Sequence, residues 1–255
     1  MLSGTLGDIL GVLESTLSTY PRRVPGVIQL EGRELHYVDL HSFYHQSVQI
    51  FANNLYEFSS STSAPLILDC GAHIGLASLY FTSRYPGCKI IAYEADPIIA
   101  QALKKNVISY GLQNVTVEAK AVWTDNSGVS FSEEFDDSGH IGAMSGGKVV
   151  PSVRLKDVIS QSPIELLKMD VEGAEFALFK DCASALHNVN KIIVEVHQLR
   201  SEGKLGELLS VLESAGFRYI LSDLHQAVWV TDYKKPPFSE TKTDRYLVSV
   251  FAWRE

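Results

Sequence analysis

The chain has 255 residues, 45% of them hydrophobic and 20% charged, with a formal net charge of −8. That length allows one large domain or two small ones with a sizeable core, and nothing in the composition suggests disorder. The acidic balance, with no cluster of Lys and Arg, argues against a polyanionic partner, so nucleic acid is not the expected substrate. Cys70, Cys88 and Cys182 are odd in number, widely spaced and without a C-x-x-C, which indicates neither a disulfide frame nor a zinc site and fits a reducing compartment.

The stretch SGTLGDILGVLESTL places Leu6, Ile9, Leu10, Leu13 and Leu17 on one helical stripe. It carries Asp8 and Glu14 and lacks both the basic start of a signal peptide and the roughly 20 apolar residues of a spanning helix, so a soluble, cytoplasmic protein with no membrane span is expected. GVIQLEGRELHYVDL reads as a hairpin about Glu31-Gly32, and QSVQIFANNLYEF as a helix before the Ser-rich SSSTSAP. Residues 1–65 are therefore expected to form an accessory cap of helix, hairpin and helix. Its apolar stripes need burial against the core that follows, residues 66–255.

LILDCGAHIGLASLYF, residues 66–81, has the pattern of a strand, a tight turn and a helix. Leu66, Ile67 and Leu68 show no polar alternation, as in a strand buried on both faces of a parallel sheet. Gly71 and Gly75 supply the turn, and the following helix presents free N–H groups above it. A dinucleotide site would use G-x-G-x-x-G here, but its first glycine position is Asp69, and Gly71 and Gly75 are one residue too far apart. A carboxylate there repels a pyrophosphate and attracts a ligand with ammonium and sulfonium charges. S-adenosylmethionine (SAM) is such a ligand. The next strand, KIIAYE, ends at Glu94, where an acidic residue takes the two ribose hydroxyls in other βαβ nucleoside sites.

Asp96-Pro97 then caps a helix whose buried face is Ile99, Ala102, Leu103 and Val107, ended by Gly111. NVTVEAKAVW reads as a third strand, turned at DNSG. IELLKMD, KIIVEVH and FRYIL are further strands, separated by the helices AEFALFKDC and GELLSVLESAG, and YLVSVFAW is the last. Repeated βα units imply a doubly wound, mostly parallel sheet, with ligands outside the carboxyl ends of its strands and an antiparallel final strand. Those ends carry Asp69 and Gly71, Glu94, Val122 and Trp123, Asp170 and Glu172, and Glu195 and His197, the last two on one side by period-two spacing.

DCGAHIG, YEADP, AVWTDNSG, LLKMDVEGAE and VEVH together resemble the FkbM-type SAM-dependent methyltransferases over most of residues 66–200. DVEGAE is the most specific of these boxes. The resemblance implies a seven-stranded Rossmann-like methyltransferase fold and methylation of a hydroxyl on a sugar, glycolipid or polyketide-type natural product, with S-adenosylhomocysteine as the other product. It also implies that Asp69, Gly71, Ala72 and Gly75 surround the methionine moiety, Glu94 the ribose and Val122 the adenine. Two positions depart from the common pattern, His73 where Asn is usual and Ala95 where Pro follows the Glu. Both are kept among the cofactor-binding candidates.

A hydroxyl must lose its proton to attack the sulfonium methyl, and a positioned base adds about 10² to 10⁴ in rate, His being the commonest at neutral pH. His197 is the leading base and Glu172 the second. His41, His45, His140 and His225 are expected on the surface or in loops. A metal is the competing arrangement, since Asp170, Glu172 and Glu195 offer the hard oxygen ligands that Mg²⁺ takes. The reading adopted assigns no metal and gives Asp170 to the SAM ammonium. Two stretches are expected to frame a small-molecule or carrier-borne acceptor: the acidic, Gly-rich residues 132–148 as a lid, and the loop carrying Trp229, Tyr233 and Phe238. The rival classes are a non-catalytic SAM-binding scaffold and an NAD-dependent oxidoreductase.

Overall fold

The computed structural model describes residues 2–132, 140–141, 148–198, 205–225 and 246–254. These form two compact units, Met1–Ala119 and Lys120–Glu255, so residues 1–65 share the first unit with the glycine-turn segment.

The first unit opens with β1 (Ser3–Gly4) and α1 (Leu6–Thr16). Thr5 and Asp8 cap α1 reciprocally, Asp8 N–H to Thr5 Oγ1 at 3.2 Å and Thr5 N–H to Asp8 Oδ2 at 3.0 Å. Ile9 and Leu13 of the expected stripe are buried. The hairpin forms as read, with β2 (Gly26–Leu30) antiparallel to β3 (Arg33–Tyr37). Its two loop residues, Glu31 at φ 54° and Gly32 at φ 77°, have the left-handed backbone of a type I′ turn.

One boundary differs from expectation. The chain leaves β3 at Tyr37, and α2 spans Leu40–Ser47, followed by a wider π turn over Val48–Ala52. The helix starts early because Asp39 is its N-cap, accepting from Ser42 N–H at 3.0 Å while Arg22 Nε and Arg23 N–H hold the same carboxylate. Of the segment that follows, Tyr56 is buried and Phe51 and Phe58 are half-buried. Phe51, Tyr56 and Phe58 pack on Tyr80, Phe81 and Tyr85, with the Phe58 and Tyr85 rings stacked 4.3 Å apart.

Next come β4 (Leu66–Cys70), α3 (Leu76–Arg84), β5 (Lys89–Tyr93), α4 (Pro97–Ser109) and β6 (Val115–Glu118). β4, β5 and β6 pair in parallel in that order, and Ile67 to Cys70 are buried on both faces. Asp96 caps α4 through Ile98 and Ile99 N–H, with Pro97 in the first turn. The α4 face holds a polar residue that the apolar pattern does not register. Asn106, 1% exposed, accepts from His36 N–H at 2.7 Å and donates to the carbonyls of His36 and Ile74 at 2.9 and 2.8 Å. It ties β3 to the turn leading into α3. Asn106→Ala strips partners from three backbone groups, and at about 1–3 kcal/mol for each one left buried and unpaired, a loss of about 3 kcal/mol or more is expected in urea unfolding. A loss below about 1 kcal/mol would mean that water replaces the amide.

In the second unit the expected third strand proves to be two. β6 ends at Glu118, and β7 (Ala121–Trp123) pairs in parallel with β11 (Ser152–Arg154), Val122 facing Val153. This corrects the placement of Val122 and Trp123, since Glu118 and not Trp123 closes the third sheet strand. Between them, β8 (Val129–Ser132), β9 (His140–Ile141) and β10 (Lys148–Val150) form a three-stranded antiparallel sheet. The expected lid over 132–148 coincides with its inner ends and otherwise lies outside the described residues, as do Trp229, Tyr233 and Phe238.

α5 (Leu155–Ile159), β12 (Ile164–Met169), α6 (Glu175–Cys182), β13 (Val189–Gln198), α7 (Leu205–Ser214), β14 (Arg218–His225) and β15 (Tyr246–Trp253) complete the chain. β12 is buried at every position and pairs in parallel with β13. β15 lies between β13 and β14, antiparallel to both. With β4, β5 and β6 in the first unit and β12, β13, β15 and β14 in the second, the chain has the mixed α/β fold expected, a seven-stranded, mostly parallel sheet whose last strand is antiparallel.

Candidate active site

In the first unit, β4 delivers Asp69 to the start of a turn that needs left-handed backbone at three places: Gly71 at φ 77°, His73 at φ 49° and Gly75 at φ 92°. The two glycines adopt this freely, and a Cβ at Gly75 would lie 2.5 Å from Leu103 Cδ1. At His73 the left-handed region tolerates His and Asn better than most residues, which accounts physically for the exchange of one for the other. The N–H groups of Gly71 and Ala72 both donate to the Tyr93 carbonyl, at 3.0 and 2.9 Å. The turn is thus clamped to the end of β5.

Glu94 tightens this clamp. Its Oε2 accepts from His73 N–H at 2.8 Å and its Oε1 from Asp96 N–H at 2.9 Å, so one carboxylate spans the glycine turn and the start of α4. It is 9% exposed. Asp69 is fully enclosed, and its Oδ2 accepts from the Ser78 hydroxyl at 3.1 Å. Its carboxylate lies buried at the carboxyl end of β4, at the base of the turn. Ala72 is buried, and Ala95 is half-buried beside Glu94. Gln46 of α2, which sequence reading missed, meets His73 Nδ1 at 3.0 Å through its Oε1.

The second unit brings four carboxylates to one imidazole. Period-two spacing puts Glu195 and His197 on one face of β13, and Glu195 Oε1 lies 3.4 Å from His197 Nε2. The turn after β12 adds Glu172 Oε2 at 3.2 Å and Asp170 Oδ1 at 3.8 Å from the same nitrogen. That turn bends sharply, with Glu172 at φ 54° and Gly173 at φ 101°. On the other side of the ring, Glu175 Oε1 meets His197 Nδ1 at 2.9 Å. Lys168 Nζ, on a side chain 4% exposed, stands 3.9 Å from Asp170 Oδ2.

His197 is 8% exposed, and burial alone would lower its pKa; hydrogen bonds to Glu175 and Glu195 and the charge of Glu172 outweigh this and raise it well above 6.5. The Glu172 carboxyl is pushed above the ordinary carboxylate range, first by burial and then by Asp170, Glu175 and Glu195, against the pull of His197. Asp170, Glu172 and His197 also offer one donor atom each, all within 4.8 Å of one another, close enough to share a divalent cation. Such a cation would take the Nε2 lone pair, so metal ligation and proton acceptance by His197 exclude each other. Of the other histidines, His41 bonds the Tyr20 carbonyl and His45 is exposed.

Parallel strands alternating with helices, with a glycine turn after β4 in the first unit and carboxylates gathered about His197 in the second, define the class as a Rossmann-like α/β fold. The chain belongs to the FkbM methyltransferases, its residues 69–219 matching the model described as "Methyltransferase FkbM domain". It is similar to "Methyltransferase sdnD" of Sordaria araneosa, 28% identical over 211 residues that cover 66% of this chain and 80% of that one. It is also similar to "31-O-demethyl-FK506 methyltransferase FkbM" of Streptomyces tacrolimicus, 25% identical over 194 residues, 61% of this chain and 73% of that one. Among solved structures, methyltransferase FkbM from Methylobacillus flagellatus KT shares the fold, with a TM-score of 0.53 and 19% identity over 83% of this chain. This chain spans 50% of that protein's length. No helix among the described residues is long and apolar enough to cross a membrane.

Proposed function

We propose that the chain is a SAM-dependent O-methyltransferase acting on a hydroxyl of a small or carrier-borne acceptor such as a sugar, glycolipid or polyketide-type product. The observation that carries the reading is the buried His197 ring, held at Nδ1 by Glu175 with Nε2 turned to Glu172 at 3.2 Å. In the step proposed, the acceptor oxygen attacks the sulfonium methyl carbon and the C–S bonding pair stays on sulfur. The hydroxyl proton passes to His197 Nε2, and Glu172 stabilises the imidazolium. SAM supplies the methyl group when bound. Gly71, Ala72, His73 and Gly75 would receive its methionine end, Glu94 and Ala95 the ribose, Val122 the adenine and Asp170 the ammonium. The name of the Streptomyces tacrolimicus relative, which specifies an O-methyl position, supports oxygen as the attacking atom. Cys70, Cys88 and Cys182 are buried and none forms a disulfide among the described residues, which supports a reducing, cytoplasmic setting.

The test is transfer of label from methyl-labelled SAM to a panel of methyl glycosides, glycolipids and polyol macrolides, with amines and thiols of matched size as controls. Label in an ether of a hydroxylated acceptor is the expected result. Label confined to amines or thiols would overturn the oxygen assignment, and SAM binding with no transfer would favour a scaffold role. A cation-assisted transfer is the second reading, favoured by the donor set of Asp170, Glu172 and His197. Dialysis against EDTA separates the two: turnover is expected to be unchanged, whereas a loss restored by Mg²⁺ or Mn²⁺ would make His197 a ligand.

A further inference from the structure

We propose that Glu175 is a positioning residue that fixes His197 in the tautomer with its proton on Nδ1, and that one Glu175 oxygen couples this tautomer to the bend that places Glu172. The inference rests on the proton-accepting role proposed for His197.

Glu175 opens α6 and is fully buried. Its Oε1 receives three donors: His197 Nδ1 at 2.9 Å, Gly173 N–H at 3.1 Å and Val171 N–H at 3.4 Å. An oxygen that already accepts two backbone N–H groups is an acceptor toward the ring as well, so Nδ1 carries the hydrogen. Nε2 of the neutral ring then holds the lone pair, on the side of Glu172, Glu195 and Asp170. The same oxygen holds the two N–H groups that flank Glu172, whose φ of 54° is a strained value for a non-glycine residue. Ring and bend therefore share one anchor.

A second observation separates this carboxylate from an ordinary helix-start acid. Its Oε2 is buried with no hydrogen-bond partner among the described residues. A helix-start glutamate that served only the dipole would face water, and an enclosed carboxylate with one oxygen unsatisfied costs stability. Stability alone would not select it, whereas orientation of a catalytic ring explains it.

The groups facing His197 are Glu175 from α6, Asp170 and Glu172 from the turn after β12, and Glu195 from β13 itself, with Lys168 of β12 behind Asp170. Leu247 of β15, opposite His197 in the register, adds no charge. Among the described residues, Glu175 alone addresses Nδ1.

The experiment compares the full chain with Glu175→Gln and Glu175→Asp. Nitrogen-15 NMR of histidine-labelled protein, with His197→Ala to assign the signal, reads the tautomer without any acceptor. The neutral wild-type ring is expected to carry its proton on Nδ1. A Gln amide can turn its NH₂ toward the ring, so Glu175→Gln is expected to raise the Nε2–H fraction. It should also lower kcat by about 10² to 10³, within the range of a lost positioned base, with the Kd for S-adenosylhomocysteine unchanged within twofold. Glu175→Asp keeps the charge with a shorter reach and should fall between. An unaltered tautomer in Glu175→Gln, or a kcat loss that appears only together with loss of S-adenosylhomocysteine binding, would overturn the proposal. If the tautomer shifts as expected while His197→Ala keeps full kcat, the orienting role of Glu175 stands and the proton-acceptor role of His197 fails.

Discussion

His197→Ala is expected to lower kcat for methyl transfer by about 10² to 10⁴, the usual contribution of a positioned base, while binding S-adenosylhomocysteine within about twofold of wild type. In the step proposed, the hydroxyl would still be presented to the sulfonium methyl, but its proton would lose its acceptor. The pH profile identifies the group. Because the His197 pKa is raised well above 6.5, the ring is imidazolium below that region and cannot take a proton, so kcat should rise with pH along an acid limb lying above 6.5. Glu172 is one of the anions that raise it. Removing that charge in Glu172→Gln should move the limb to lower pH, and His197→Ala should abolish it. The same shifts make a statement about stability. A ring whose folded pKa is raised stabilises the fold fully below its unfolded value and loses this as pH rises through the folded one, and the raised Glu172 acts in the same direction. Stability should therefore fall as activity rises on the alkaline side. A flat profile, or His197→Ala retaining more than a third of kcat, would remove His197 from the mechanism.

The glycine turn was legible because its signals are local. An unalternating apolar strand, Asp69 in place of a glycine, and glycines at positions that need positive φ all fall within ten residues, and the Glu31-Gly32 hairpin and the Asp96-Pro97 helix start were readable for the same reason. What sequence reading missed depends on partners far along the chain. NVTVEAKAVW has unbroken strand character, and only the pairing of Ala121–Trp123 with Ser152–Arg154 ends the third sheet strand at Glu118. Asp39 looks like a polar residue in a strand until Arg22 and Arg23 reach its carboxylate. Asn106 sits on an apolar helix face because its partners, His36 and Ile74, come from two other segments. At the cluster, the alternation of Glu195 and His197 put both on one side, and the polar DVEGAE box flagged Asp170 and Glu172. Glu175 lies in that same box yet reads as an ordinary acid in a helix first turn. Its burial against Nδ1 is visible only when β13 and α6 are placed together.

Glu94→Ala is expected to weaken S-adenosylhomocysteine binding by about 10² to 10³. The proposal gives the carboxylate two separable duties. Toward a ligand it would offer the remaining lone pairs of both oxygens to a ribose diol, and hydrogen bonds to a charged group contribute about 1.5–3 kcal/mol each, so two of them, about 3–6 kcal/mol, are enough to account for that loss. Toward the protein it holds His73 N–H and Asp96 N–H, and without it the glycine turn loses its tie to the start of α4. Glu94→Gln distinguishes the duties. Its amide keeps one acceptor oxygen, but its NH₂ must face one of the two backbone N–H groups, so it should lose about tenfold while the fold is retained. Calorimetric titration with S-adenosylhomocysteine, and with NAD as the comparison nucleotide, measures both variants. Weak NAD binding that is indifferent to Glu94 is expected, since Asp69 beneath the turn repels a pyrophosphate whichever residue stands at 94. Equal S-adenosylhomocysteine affinity in wild type and Glu94→Ala would confine Glu94 to holding the turn, and the ribose would then have to be sought at Glu118, where β6 ends beside Tyr93.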